Sequence, residues 1–162
     1  MASIKYGCIT PSVETDTYSV AASQYFYHDG ANFCYLDGAG NITTALSATA
    51  TIKGWAIVPK GKGAGTSDSY WLSSAVTASD KLAVITDPKA RYLVPSTATV
   101  TVGMIGDCAD ITGVNDGTQQ YIMAGTNTLD IVIIENVGTA IGGGVCDGIV
   151  KINPAKFQAD TA

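Results

Sequence analysis

Short β-prone segments separated by turn dipeptides constrain the fold of this 162-residue chain more than any other feature. Runs of valine, isoleucine, threonine and aromatic residues alternate with steps such as Asp29-Gly30 and Asp116-Gly117. These steps reverse a chain because glycine accepts a positive φ at little cost. Apart from one turn at 154–157, and an alternative short turn that Asp80 would cap, no stretch suggests a helix. The spacing predicts an all-β fold, a compact β-barrel or β-sandwich of about eight to ten strands.

The first twenty residues are less periodic than the rest. We interpret residues 1–20 as an extended N-terminal arm or a first strand. Residues 21–162 then form a single all-β domain, as expected for a chain of this length. Within that domain, residues 23–41 are predicted to form a hairpin or meander with turns at Asp29-Gly30 and at 37–41, and residues 99–104 a strand.

The charge balance argues against several classes of partner. Charged residues make up 14% of the chain and the net charge is −5. Nucleic-acid binding draws on clustered basic residues, and the basic group around Lys60 and Lys62 is typical of a solvated loop. No apolar run is longer than that at 131–134, which is far shorter than the ~20 residues of a membrane span, and the N-terminus lacks the apolar segment of a secretory signal. We expect no nucleic-acid partner, no membrane, and assembly in a cytoplasm.

The chain has few side chains that could carry catalysis. His28 is its one histidine. There is no Gly-x-Ser-x-Gly nucleophile elbow, and only Glu14 and Glu135 are glutamates. We predict no enzymatic activity and no cofactor. A small hydrolase that uses His28 is a third hypothesis, behind the two developed below.

Metal binding has little support in the sequence. The four cysteines lack Cys-x-x-Cys spacing and are interpreted as reduced, buried thiols. Asp107, Asp110 and Asp116 do not have the spacing of an EF-hand calcium loop. Asp110 and Ile111 are expected to alternate outward and inward on a strand. We therefore predict no metal site.

The aromatic residues favour an interaction surface. Because side chains alternate along a strand, either Phe26 or its two tyrosine neighbours must point outward, unless both faces are covered. Exposed aromatics suit a protein interface or a sugar-binding platform. A carbohydrate- or receptor-binding β-module of a virion or cell surface would stack sugars on Tyr25, Tyr27, Trp55 or Trp71.

Four segments in the second half of the chain resemble, in the same order, the head decoration (cement) proteins of tailed bacteriophages. In these proteins an extended segment that ends in proline comes first. A strand follows that starts with valine and glycine and continues with a small residue, an aspartate and a hydrophobic residue, and two closing strands come last. The segments are Tyr92-Leu93-Val94-Pro95, Val102 to Ile111, Leu129 to Ile134, and Gly148 to Ile152.

This resemblance implies a small all-β protein, often a homotrimer, on the outer capsid surface of a virion assembled in the host cytoplasm. Its partner would be the major capsid protein, and it would reinforce the shell without catalysis. The low charge and scarcity of catalytic groups favour the same function. The predicted contact residues are Ile4, Tyr6 and Val13 of the N-terminal arm, together with an outward-facing Phe26.

Overall fold

The computed structural model describes residues 6–28, 30–59, 70–140 and 146–158. Ile4 and most of the basic loop around residues 60–69 lie outside them. Within the described residues the chain is built from antiparallel strands and two 3-10 turns, Val102–Met104 and Pro154–Lys156. The all-β prediction is confirmed.

The strands number thirteen in the described part of the chain, more than the eight to ten expected, because many span only two or three residues. They are β1 (Gly7–Cys8), β2 (Thr15–Ser19), β3 (Tyr25–Tyr27), β4 (Phe33–Leu36), β5 (Ile42–Thr44), β6 (Gly54–Ile57), β7 (Tyr70–Leu72), β8 (Lys81–Ile85), β9 (Tyr92–Val94), β10 (Cys108–Thr112), β11 (Tyr121–Met123), β12 (Val132–Ala140) and β13 (Cys146–Ile152).

Two sheets pack together as a sandwich, with a small third sheet beside them. The first has the order β1-β9-β13-β12-β10-β11, the second β2-β8-β6-β4-β5, and the third β3-β7. Both large sheets curl. Val20, just after β2, bridges Ile42 of β5, and Ser96, just after β9, bridges Ile122 of β11. The curl brings β5 next to the residue that follows β2 in the five-stranded sheet, and β11 next to the residues that follow β9 in the six-stranded sheet.

At β4 and at Trp55 and Ala56 of β6, the five-stranded sheet is buried on both faces. Phe33 and Trp55 belong to the main core, which lies between the two large sheets. Their chain neighbours Cys34 and Ala56 belong to a second core, which also contains residues of the β3–β7 sheet. This explains why consecutive residues of β4 and β6 are apolar, whereas a strand with one solvent-exposed face alternates apolar and polar residues.

Aromatic rings connect the two large sheets across the main core. Trp55 stacks on Tyr92 with ring centroids 4.7 Å apart, and Phe33 meets Trp55 edge-on at 5.0 Å. Such pairs contribute about 0.5–1.5 kcal/mol each beyond the burial of their area.

The described part of the N-terminal segment runs along both sheets as strands. Gly7 and Cys8 pair with Leu93 and Tyr92 of β9. Further along, β2 pairs over its full length with β8. Residues 1–20 were interpreted as an extended arm or a first strand, and residues 7–8 and 15–19 of this segment form strands.

Two local predictions were wrong. Tyr25–Tyr27 pairs with β7 rather than with β4, because the side-chain amide of Asn32 takes both backbone groups of Tyr27, at 2.9 and 2.8 Å. Residues 102–104 form a 3-10 turn, not a strand. The next expected reversal is present, because residues 37–41 join β4 to β5 as an antiparallel pair.

Candidate functional site

Four loops lie side by side and form a surface that we call the loop surface. The backbone N–H of Ser23 donates to the carbonyl of Ser74 at 2.9 Å, and that of Ser47 donates to the carbonyl of Gly113 at 3.1 Å. The loop surface comprises residues 21–25, 45–49, 73–79 and 113–117.

The backbone of the loop surface is held by specific hydrogen bonds. Asn115 Nδ2 donates to the Ser23 carbonyl at 3.1 Å, while its Oδ1 accepts from the N–H of Tyr25 at 2.8 Å. Ser23 and Ala78 have φ values of 52° and 67°, which cost non-glycine residues about 1–3 kcal/mol each. The surrounding bonds maintain these conformations, so the loops present their side chains from a defined backbone.

Nonpolar side chains on the loop surface face solvent. Val76 is 65% exposed, Val114 55% and Leu46 37%. Beside them Tyr25 and Tyr70, both half-buried, form an edge-to-face pair with centroids 4.9 Å apart. Val76, Val114 and Leu46 project from three of the four adjoining loops, and we therefore take the loop surface as the candidate interaction surface.

A shallow depression of about 300 Å³ adjoins the loop surface at Leu46. Its other lining residues include Tyr35, Ala48 and Thr51. Among the described residues, the lining is uncharged, so the depression suits a nonpolar or weakly polar group.

A second depression, which we call the Tyr6 cleft, has a volume of about 320 Å³. Tyr6, Tyr27, Asn32, Trp55 and Ile57 are among its lining residues. Its lining within the described chain is likewise uncharged and combines aromatic faces with an amide.

Tyr6 is tied to a buried carboxyl group next to this cleft. Its hydroxyl donates to Asp147 Oδ1 at 3.2 Å. Burial and the neighbouring Asp147 raise the pKa of Tyr6 to about 12. Asp147 is 4% exposed, and its Oδ2 has no hydrogen-bond partner in the described part of the chain. Burial raises the pKa of Asp147, and the bond from Tyr6 only partly opposes that shift.

The structure separates the four predicted contact residues. Ile4 lies outside the described residues, Tyr6 bonds to Asp147, and Val13 packs partly buried against the main core. The prediction that Phe26 points outward was wrong. Phe26 is 1% exposed and lies 6.2 Å from Trp71 in the second core. Its two tyrosine neighbours take the opposite face, as strand alternation requires.

The tryptophans are not sugar-binding platforms. Trp55 is 5% and Trp71 4% exposed, so neither indole face is open for stacking. Tyr25 and Tyr27 remain half-buried, and of the four platform residues only they present substantial aromatic surface.

The described cysteines are unpaired. Cys8, Cys34 and Cys108 carry free thiols, but only Cys34 is fully buried. Burial raises the pKa of the Cys34 thiol strongly, which makes it a poor nucleophile. The side chain of Cys146 lies outside the description.

Asp110 has a structural role that the strand pattern did not reveal. It is 6% exposed rather than outward-facing. Its carboxylate accepts from the backbone N–H groups of Thr128, Leu129 and Asp130 at 3.1, 2.7 and 3.0 Å. Carboxylates that accept several backbone bonds order a loop, here the one that leads into β12.

The described residues contain no group of three or more histidine, cysteine, aspartate or glutamate side chains placed to hold a metal ion. His28 is half-buried at a turn after β3. Nor does this part of the chain include a helix long and apolar enough to cross a membrane.

Sequence reasoning missed the loop surface, because its nonpolar residues come from separate loops. Leu46, Val76 and Val114 lie thirty or more residues apart in the sequence. The one available signal was an isolated aliphatic residue among small and polar neighbours, as at Val114.

Comparison of the chain with protein-family models, curated proteins and solved structures finds no match in any of the three.

Proposed function

We propose that this chain is a non-enzymatic structural protein of a virion, which decorates the outer surface of a tailed-phage capsid and stabilises the shell by binding the major capsid protein. The observation that carries the proposal is the loop surface, where exposed aliphatic side chains and a tyrosine pair stand on a hydrogen-bonded backbone. An adhesive protein needs such a surface and needs no reactive group.

The exposed side chains suit a broad protein partner better than a small ligand. Leu46, Val76 and Val114 project from three different loops, whereas small-molecule sites enclose most of their ligand in a concavity. Complete burial of an aliphatic side chain contributes about 1.5–3 kcal/mol. These side chains are already part-buried, so each would contribute less.

Weak contacts of this kind become effective when they are repeated. The resemblance to decoration proteins implies a homotrimer, and three linked copies engaging a repeating capsid lattice would gain affinity through multivalency. The net charge of −5 supports a place outside the shell, because an acidic protein does not compete for packaged nucleic acid.

The test is co-sedimentation of the purified chain with expanded, undecorated tailed-phage capsids. The double variant Val76→Asp, Val114→Asp should lose binding, because it places charge in the contact. Val102→Asp is the matched control. Val102 is 75% exposed on the 3-10 turn and lies outside the loop surface.

Two results would count against the proposal. One is failure of the wild-type chain to sediment with any capsid, and the other is equal binding by all three proteins. Deletion of residues 1–16 is a poor test, because it would remove β1 and the first residues of β2. Point substitutions leave both sheets intact.

The Tyr6 cleft favours the alternative function, a carbohydrate- or receptor-binding β-module. Tyr27 lines it with an aromatic ring, and the Asn32 amide fixes that residue by bonding to both of its backbone groups. A fixed aromatic ring suits the stacking of a sugar. A polysaccharide pull-down with wild-type chain and Tyr27→Ala separates the two functions. Binding that depends on Tyr27, without capsid binding, would replace the capsid proposal.

A further inference from the structure

The turn around Asp116 connects the two tyrosines at the loop surface. Asn115, the residue before it, accepts a hydrogen bond from the Tyr25 N–H at 2.8 Å. Gly117, the residue after it, has a φ of 86° and lies against the Tyr70 ring. A Cβ atom here would come within 2.7 Å of Tyr70 Cδ1, so only glycine permits this approach. Asp116 is thus fixed between a neighbour bonded to one tyrosine and a neighbour packed on the other.

Asp116 is near enough to the tyrosine rings for one ligand group to contact both. Its Cα atom is no more than about 8 Å from the Tyr70 ring, because the contact of Gly117 adds one Cα–Cβ bond and one Cα–Cα step of about 3.8 Å. The centroids of the Tyr25 and Tyr70 rings are 4.9 Å apart, and both side chains are half-buried. Part of the aromatic pair is therefore open to solvent beside the carboxylate.

Asp116 carries the only charge in the four loops of this surface, since their other residues are all uncharged. Its side chain is exposed, and the Thr118 N–H donates to its Oδ1 at 2.9 Å. Hydrogen bonds from the side chain and the backbone of Thr118 lower the pKa of Asp116, so the carboxylate is ionised at neutral pH. Within the described part of the chain, no cation pairs with it.

The proposed interface covers a residue next to this charge. The Asp116 N–H donates to the carbonyl of Val114 at 3.0 Å, so a partner that covers the Val114 side chain also takes water from the adjacent carboxylate. A carboxylate that loses water without gaining a cation or hydrogen-bond donors is strongly destabilising. A complementary partner surface therefore carries a positive charge at this point.

We propose that Asp116 and the Tyr25–Tyr70 pair bind an arginine side chain of the partner protein. The guanidinium group donates to the carboxylate, which can accept further bonds beside that from Thr118, and its flat face lies on the tyrosines. Arginine fits both contacts, because its planar group forms two parallel bonds to a carboxylate and stacks on aromatic rings. The ammonium group of lysine is a compact, strongly hydrated charge without that shape.

This inference rests on the proposed function for the identity of the partner alone. The site itself lies in this chain and can be tested without a capsid. The two proposals can therefore fail separately.

The first experiment titrates the full chain with Nα-acetylarginine amide and follows its resonances by NMR. The backbone amides of residues 116–118 and the ring protons of Tyr25 and Tyr70 should shift and reach saturation. The corresponding lysine amide should bind several-fold more weakly. The citrulline amide, which has nearly the shape of the arginine probe but no charge, should produce no saturating shift.

Variants separate the contributions of the charge and the ring. Asp116→Asn keeps the size of the side chain and should weaken binding of the arginine probe about two- to fivefold, because this pair stays exposed to water. Tyr70→Leu keeps a nonpolar side chain without the ring and should weaken it by a similar factor, about two- to fivefold. Asp107→Asn is the matched control. Asp107 is exposed and lies at the other end of β10 from the loop surface, so this variant should bind the probe as wild type does.

The second experiment repeats the capsid co-sedimentation with the two asparagine variants. Asp116→Asn should weaken capsid binding about tenfold or more, because the ion pair is shielded from water in that contact and a hydrogen bond to a charged group then contributes more. Asp107→Asn should sediment with capsids as wild type does. Because Asp116 is exposed in a turn, this comparison holds even where Tyr70→Leu does not fold.

The outcomes distinguish the site from the function. Absence of a saturating shift with the arginine probe, an equal response to the citrulline probe, or equal probe binding by Asp116→Asn overturns the site. An equal affinity for the lysine probe overturns the assignment to arginine. Capsid binding that is unchanged in Asp116→Asn overturns the inference about the partner and leaves the decoration function standing. Probe binding that depends on Asp116, without binding to any capsid, supports the site and counts against the capsid as its partner.

Discussion

Replacing Gln120 with glutamate tests how the two large sheets are joined. Gln120 is 3% exposed. Its Oε1 accepts from the N–H of Phe33 at 2.7 Å, and its Nε2 donates to the carbonyls of Phe33 and Ala45, both at 3.0 Å. One amide from the approach to β11 therefore continues the ladder of β4. Gln120→Glu keeps the size and the acceptor but replaces the donating NH2 with oxygen.

The cost follows from the carbonyls that lose this donor. The Phe33 carbonyl keeps the N–H of Ala45, which donates to it at 3.0 Å, so among the described residues only the Ala45 carbonyl is left without a donor. A buried polar group left without a partner costs about 1–3 kcal/mol, so the free energy of unfolding should fall by about 1–3 kcal/mol at pH 7. That is a substantial part of the about 5–15 kcal/mol typical of a domain. Burial should raise the pKa of the new carboxyl group above its ordinary value of about 4.3, so the protonated form persists in the folded state.

The sign of the pH dependence follows from that shift. As pH rises above the ordinary glutamate pKa, the unfolded chain loses its proton while the folded chain keeps it, so the variant loses stability relative to wild type. In acid, the protonated carboxyl group can donate to one carbonyl. The destabilisation should therefore be smaller at pH 4 than at pH 7, by about 1.4 kcal/mol for each unit of the pKa shift.

Urea denaturation of wild type and variants at both pH values measures these differences. Gln119→Glu is the matched control, because the adjacent side chain is half-buried and forms none of these bonds. Its effect should stay within about 0.5 kcal/mol. Equal losses for the two variants, or a loss at Gln120 that does not change with pH, would contradict this role of the Gln120 amide.

Three further substitutions test other buried groups. Phe26→Ala should lower the free energy of unfolding by about 3–5 kcal/mol because it empties part of the second core; a change below about 1 kcal/mol in urea denaturation would contradict its burial. Asp110→Ala should cost about 3 kcal/mol and increase amide hydrogen exchange at residues 128–130, whereas unchanged protection would show that the carboxylate does not order that loop. Because burial raises the pKa of Asp147, the folded chain holds this proton to a higher pH than the unfolded chain does. The free energy of unfolding therefore falls as pH rises from the ordinary aspartate pKa. Asp147→Asn should therefore flatten the fall in stability over that window, and an unchanged slope measured by thermal unfolding would assign it to another group.

The side-chain amides explain why some strand pairings could not be predicted. Gln158 bonds both backbone groups of Leu36, at 2.7 and 2.8 Å, from 122 residues away. Asn32 does the same for Tyr27 across a turn. Each amide takes the place of a strand, so β3 was free to pair with β7 rather than with its neighbour in the chain. No local pattern distinguishes an amide of this kind from one in solvent.

The same limit applies to the candidate site. Strand alternation required the side chain of Phe26 to lie on the opposite face from those of Tyr25 and Tyr27, and the structure shows that it does. Which face was covered depended on Trp71 of β7, a strand more than forty residues away. The loop surface likewise exists only because loops distant in sequence bond to one another.

The all-β class and the reversal between β4 and β5 can be predicted from the amino-acid sequence. These follow from local preferences, since β-branched and aromatic residues favour extended backbone and glycine permits a positive φ. The burial of Phe26, the role of Asp110 in ordering a loop and the projection of Leu46, Val76 and Val114 from adjoining loops become evident only in the folded chain. Those outcomes depend on long-range contacts, because a strand's period of two residues separates its faces without specifying what covers each of them.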